Sequence, residues 1–331
     1  MSVIVILCVD HALPSGLAGI ADVFSLSGLN FVHQSGRNVT KKVAWNPKVV
    51  LASHDGKPIK DGHGRTIVAD TSLDAIKRCD AVLIPGFVPD AQGHPPQNLT
   101  GAGTRSWLSR RLKQGALLCG SCSGVFVLGE AGILSNKKCT TTWWLHDELK
   151  QRFPSANAAW ASELIDDDGI ITAGGPLSWV NISLYVIKKL AGAEIANVVA
   201  DFSVVDAVPR SQDLYIPQGY RVAKDPFLTM AEHNIRKAHY KTTTTGDLAN
   251  LMAVSERTLS RKIKDLTGET PKAFIDRIRI AQACTLLTTS NKTIKDIAYS
   301  LGYSDDSVFR RLFKKRMKVS PSSYQQRRLR T

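Results

Sequence analysis

Residues 245 to 331 carry one pattern twice, about fifty positions apart, and a chain that repeats itself folds as repeated units. The first copy includes Val254-Ser255-Glu256-Arg257-Thr258-Leu259-Ser260-Arg261, the second Tyr303-Ser304-Asp305-Asp306-Ser307-Val308-Phe309-Arg310-Arg311. Each ends in a Ser/Thr-Pro step, Thr270-Pro271 and Ser320-Pro321. Arg257, Ser260, Arg261 and Lys264 share one stripe of an α-helix, while Leu259, Ile263 and Leu266 form the stripe expected to face a core. In the second copy Ser307, Arg310, Arg311 and Lys314 oppose Phe309, Leu312, Phe313 and Met317 with the same spacing. The spacing predicts helix-turn-helix motifs at about 245–267 and about 294–316.

An outer face of Arg and Ser suits the major groove of double-stranded DNA, where Arg bridges guanine O6 and N7. The candidate reading residues are Ser255, Arg257, Thr258, Ser260, Arg261 and Lys264, then Ser307, Arg310, Arg311 and Lys314. Among these, Lys264 and Lys314, with Lys315 beside them, are placed for phosphates, which position a protein without specifying sequence.

The charge is distributed accordingly. Of a net +14, the part from Lys224 onward holds 22 Lys and Arg against 10 Asp and Glu, the part before it 21 against 19. The excess that attracts a polyanion therefore sits in the last third. At 331 residues the chain exceeds one average core, and 43% apolar content argues against disorder. The six cysteines are scattered, and Cys119 and Cys122 lack a second Cys/His pair, so neither metal nor cofactor is expected. Met1 to Leu7 has no basic leader and reads as a buried strand. No apolar run reaches the roughly 18 residues of a membrane span. A reduced, cytoplasmic chain with no membrane partner is the expectation.

Upstream of the repeats, strand-like apolar runs alternate with helical stretches. Strands are expected at Val3 to Val9, Val49 to Ser53, Ala81 to Ile84, Ala116 to Cys119 and Ile170 to Thr172. Helices are expected through Ile20, Val23 and Phe24 after a Gly-rich turn, and over Trp107 to Lys113, Leu145 to Phe153 and Trp179 to Ala191. Such alternation implies an α/β domain with a mostly parallel sheet. A polar stretch from Pro217 to Asp225 marks a boundary, giving an α/β domain over 1–218 and an all-α domain over 219–331. Within Thr242 to Thr245 a threonine, or else Asp247, is expected to cap the first repeat helix.

Leu117 to Leu128 reads as strand, tight turn and helix, with Cys122 at the turn. Such an elbow points a side chain at a helix N-terminus, where the dipole would lower a thiol pKa. On the residues alone Cys122 is a nucleophile, a redox-sensing thiol or a small buried side chain.

Residues 225 to 331 resemble the AraC/XylS-type regulator domain over its whole length. The marks are Val254-Ser255-x-Arg257-Thr258-Leu259-x-Arg261, Thr267-Gly268-x-Thr270-Pro271, Gly302-Tyr303-x-Asp305 and Ser320-Pro321-x-x-Tyr324. The resemblance implies two subdomains joined by a long helix, here Pro271 to Leu287, that enter adjacent major grooves. It also implies an activator, with RNA polymerase as a partner. Two positions depart from the pattern: Ile263 stands for the usual Phe and Lys318 for the usual Gly.

Residues 1 to about 215 resemble the flavodoxin-like DJ-1/PfpI (class I glutamine amidotransferase-like) fold in the form fused to AraC-type domains. The elbow carries this, with Glu130 to Leu134, Thr140-Thr141-Thr142-Trp143, Ala173 to Trp179 and Asp201-Phe202…Pro209-x-Ser211-Gln212. By that resemblance a catalytic histidine belongs just before Trp143, where Thr142 stands; His146, one turn onward, is expected at the surface. Pro85-Gly86-Phe87 replaces a Pro-Gly-Gly turn, so Phe87 narrows the pocket, and neither Asp10 nor Asp22 supplies an aligned carboxylate. A thiol without a base is a poor hydrolase.

The expectation is a non-catalytic domain that dimerises or binds an unidentified small-molecule effector at Gly86, Phe87, Cys122, Ser123 and Thr142, and so controls a DNA-binding end. A homodimer is expected. The competing reading is a Cys122-dependent amidase or hydrolase, or a redox sensor, fused to the same end.

Overall fold

The first apolar run forms β1 (Val3–Leu7), an interior strand of a seven-stranded sheet, and α1 (Pro14–Ser25) follows it. Next come β2 (Lys48–Ser53), a short hairpin of β3 (Ile59–Lys60) and β4 (Thr66–Ile67), then β5 (Thr71–Ser72) and β6 (Ala81–Ile84). After α2 (Ala102–Lys113) the chain enters β7 (Leu117–Ser121) and α3 (Val125–Glu130). The small strands β8 (Lys138–Cys139) and β9 (Asn157–Ala158) flank α4 (His146–Arg152). The unit closes with β10 (Leu164–Asp167), β11 (Ile170–Ala173), α5 (Trp179–Ala191) and α6 (Ala193–Phe202).

The sheet order is β10-β11-β7-β6-β1-β2-β5, and every pair is parallel except β10 with β11. Both β6 and β11 are buried at each position, the pattern of parallel strands covered on both faces. From β1 the chain goes to one side as β2, then crosses so that β6 lies on the other. Beyond the carboxyl ends of strands at such a switch point lies the crevice in which α/β proteins place their sites.

The glycines after β1 lie inside α1 rather than in a preceding turn, which corrects the expectation. A Cβ on Gly19 would come 2.2 Å from the Trp179 ring, and one on Gly16 would come 2.5 Å from the Pro85 side chain. Their missing side chains let α1 close on α5 and on the turn after β6.

The described residues are 2–28, 45–206, 212, 215–216, 225–238, 244–317 and 319–328. Pro217 to Lys224, Pro209, Ser211, Thr242, Thr243 and Lys318, all named above, lie outside them. Two units emerge, Met1–Gln212 and Asp213–Thr331. The second contains α7 (Pro226–Lys237), α8 (Thr245–Leu251), α9 (Glu256–Thr267), α10 (Pro271–Thr289), α11 (Ile294–Ser300), α12 (Asp306–Met317) and α13 (Pro321–Arg328).

The polar punctuation of the sequence becomes helix caps. Asp225 accepts from the Phe227 and Leu228 amides, and Thr244 forms a reciprocal capping box with Asp247. Ser255, Thr270 and Thr293 cap α9, α10 and α11, while Ser320 accepts from the Ser323 amide at the start of α13. Pro226 and Pro271 stand at helix starts, where no intrahelical N–H is missed.

Two separate cores result. Leu248, Leu259 and Ile263, with Phe274, Ile275 and Ile278 of α10, belong to one; Ile280, Ala283 and Leu287 of the same helix, with Ile297, Phe309 and Phe313, belong to the other. The long helix is thus shared between two subdomains.

Candidate functional site

Matching the repeats by burial gives their register. Leu248 and Ala249 correspond to Ile297 and Ala298, forty-nine positions on, and both first helices end alike. The Val254 amide donates to the Ala249 carbonyl at 3.0 Å, and the Tyr303 amide to Ala298 at 3.1 Å. Leu259, Ile263 and Thr267 correspond to Phe309, Phe313 and Met317, fifty positions on. The second turn is one residue longer, Ser304-Asp305 against Ser255 alone. Leu266, expected in the core, is 44% exposed, and Thr267 is buried instead, its hydroxyl bonded back to the Ile263 carbonyl at 2.6 Å. A four-residue step keeps a helix stripe closer to one line than a three-residue step does here.

Opposite these frames the polar stripes face outward. Arg257, Arg261, Lys264, Ser307, Arg310, Arg311 and Lys314 are exposed, and Ser260 is half-buried. Some of the other hydroxyls are already engaged. Ser255 caps the Thr258 amide at 3.2 Å and lies 3.0 Å from the Thr258 hydroxyl. Ser307 donates its hydroxyl to Asp305 at 2.6 Å and its amide to the same carboxylate at 2.8 Å, which holds the Asp305 carboxyl below its usual pKa. Arg310 Nε donates to Asp306 at 2.9 Å. Among the described residues α9 therefore presents Arg257 and Arg261 with no such clamp, while α12 presents Arg311 exposed and Arg310 held by Asp306.

In the α/β unit, parallel register brings the turn after β6 beside the elbow after β7, since Ile84 pairs with Gly120. Cys122 sits at φ +53°, the strained left-handed conformation of a sharp strand-to-helix turn. Gly124 is required there: a Cβ would fall 2.4 Å from the Ile84 carbonyl oxygen and 2.5 Å from that of Pro85. A Cβ on Gly86 would lie 3.1 Å from that of Cys122. The Phe87 amide donates to Ser123 Oγ at 2.8 Å, and the Phe87 ring is buried in the core. Gly86, Phe87, Cys122 and Ser123 thus converge.

Thr142 is fully buried, and its hydroxyl has no partner among the described residues. The hydroxyl that touches the elbow is that of Thr141, which donates to the Cys122 carbonyl at 2.7 Å. Sequence reasoning missed Thr141 because three consecutive threonines give no sign of which one faces the turn.

Burial, not the helix dipole, sets the thiol. Desolvation pushes Cys122 from an ordinary 9.0 up to about 11, although the Ser123 amide and hydroxyl pull the other way. This overturns the expectation of a lowered thiol pKa. His146 is also corrected: it is buried in the first turn of α4, its ring edge-on to Trp160 at 5.2 Å. Asp10 is occupied elsewhere, accepting from the Lys60 amide at 2.8 Å.

The comparisons with known proteins meet this geometry on both units. Residues 248–327 match the model described as Helix-turn-helix domain, and residues 41–189 match the DJ-1/PfpI family. The chain joins a DJ-1/PfpI domain to an AraC-type helix-turn-helix domain. It is 26% identical over 277 residues to the HTH-type transcriptional regulator CdhR of Pseudomonas aeruginosa, covering 82% of this chain and 80% of that one. With the HTH-type transcriptional regulator GlxA of Rhizobium meliloti the identity is 29% over 245 residues, 72% of this chain and 74% of that one. The DJ-1/PfpI domain has the fold of DJ-1beta from Drosophila melanogaster, with TM-score 0.50 and 22% identity over 62% of this chain and 100% of that one. No helix among the described residues is long and apolar enough to cross a membrane.

Proposed function

We propose that this chain is a cytoplasmic, sequence-specific DNA-binding transcriptional regulator whose DJ-1/PfpI domain senses an effector rather than catalysing a reaction. The observation that carries it is the matched pair of exposed Ser/Arg stripes, each mounted on an equivalent buried frame and joined through α10. Two such helices read two successive major grooves, and the basic surface around them supplies the sequence-independent attraction to phosphates. The names of the relatives support a regulator.

On this reading Gly86, Phe87, Cys122, Ser123 and Thr142 surround the effector site, the chain acts as a homodimer, and activation proceeds through RNA polymerase. A buried thiol with a raised pKa favours sensing by occupancy over nucleophilic catalysis. The test is in vitro selection of DNA by the full-length chain, followed by footprinting of the enriched fragment. Protection of two patches one helical turn apart on one face of the duplex is expected. Failure to enrich any sequence at low salt, with the helical domain folded, would overturn the reading.

A further inference from the structure

Gln212 is the last residue of the α/β unit, and its side chain turns back into that unit, 6% exposed. Its amide makes three hydrogen bonds to the backbone of that unit. Nε2 donates to the Thr141 carbonyl at 3.0 Å and to the Ser162 carbonyl at 2.7 Å, and Oε1 accepts from the Trp143 amide at 2.9 Å. Two carbonyl acceptors on one side and an N–H donor on the other admit only this orientation of the amide. Gly174 completes the cradle: a Cβ there would land 1.9 Å from Gln212 Nε2.

The same Thr141 whose carbonyl holds Gln212 donates its hydroxyl to the Cys122 carbonyl at 2.7 Å. Both Thr141 and Cys122 are buried, so these bonds do not compete with water. A continuous hydrogen-bonded path therefore runs from the elbow, through Thr141, to the last residue of the α/β unit, which the chain joins directly to the second unit.

We propose that Gln212 is a positioning residue that couples the state of the Cys122 elbow to the DNA-binding unit. The inference rests on the regulator reading above. A change at the elbow that shifts the Cys122 carbonyl moves Thr141, and the Gln212 amide must follow or lose bonds that nothing else in its dry cradle replaces. The coupling thus needs no direct contact between effector and Gln212.

The test uses the full-length chain and the DNA fragment it enriches in selection, with affinity read by gel shift and output by a reporter. Thr141→Val removes the hydroxyl at nearly constant shape, Gln212→Met removes the amide, and Gly174→Ala displaces it from outside. Each should change DNA affinity in the same direction by about fivefold or more. The Thr141→Val, Gln212→Met double variant should do no more than the larger single change, because both cut one path. Thr141→Ser should keep the affinity of the unaltered chain. Cooperative thermal melting of every variant checks the fold, and Gly174→Ala stands in should Gln212→Met lose it. Folded variants that all bind within about twofold of the unaltered chain, or effects that simply add, would overturn the coupling alone. Absence of any enriched fragment would overturn the regulator reading itself.

Discussion

Ala253 and Gly302 occupy the same place in the two repeats, each in the left-handed region, at φ +52° and +82°. Both precede a residue whose amide closes the end of the first helix. The turn geometry is shared, but only the second copy uses the residue that adopts it without a Cβ penalty. Ala253→Gly should therefore stabilise the helical unit by about 0.5–1 kcal/mol, the relief of strain less the added freedom of the unfolded chain. Gly302→Ala should destabilise it by about 1 kcal/mol. Urea unfolding of both variants measures the difference, and equal small effects of either sign would show that the turns are not equivalent.

Arg261 and Lys264 lie on one exposed stripe but are assigned different tasks. Arg261→Ala should lose about 1–3 kcal/mol on the preferred sequence and flatten base preference at one position. Lys264→Ala should weaken all sequences alike and lower the salt slope by about one unit. Titrations on specific and scrambled DNA at several salt concentrations separate the two outcomes.

The Asp306–Arg310 pair is partly exposed, at 31% and 45% for the two side chains. An exposed i,i+4 pair contributes little, so Asp306→Asn should change stability by less than about 0.5 kcal/mol. Removing a negative charge from the face proposed to meet DNA should nonetheless tighten binding and steepen its salt dependence. Unaltered binding would place that edge of α12 away from the duplex.

For Cys122 the sign of the pH effect follows from burial. The folded thiol holds its proton more tightly than the unfolded one, so its contribution to stability is complete below pH 9.0 and is lost as the pH rises toward about 11. Cys139, also raised to about 11 by desolvation, adds to the same window. Alkylation of Cys122 should stay slow at neutral pH and accelerate only as the fold loosens. Fast labelling near pH 7, read by peptide mass, would restore the nucleophile reading.

Gly124→Ala should disable the α/β domain. Its Cβ would meet two backbone carbonyl oxygens rather than a side chain that can swing away, so the loss should be about 3 kcal/mol or more. Expression and melting of the variant check this directly, and a folded protein of ordinary stability would refute the packing argument.

Much of this is legible in the sequence. Period and punctuation are local properties, and the threonine cap expected within Thr242 to Thr245, found at Thr244, and the stripe Leu259, Ile263 follow from them. The failures share a cause. Leu266 and Thr267 are neighbours on one helix, and which of them turns inward depends on where the facing helix lies. His146 is polar by type, yet it is buried with its ring edge-on to Trp160, a placement that packing decides.

The sequence by itself determined the repeat, its basic outer face, the alternating α/β pattern and the glycine-bounded elbow, because each is written in short-range spacing and residue type. Tertiary structure alone decided that burial sets the thiol at Cys122, that Thr141 and not Thr142 touches the elbow, and that Gln212 reaches back to Thr141 across 71 positions. Those outcomes depend on desolvation and on hydrogen bonds between distant segments, and both are properties of the packed chain.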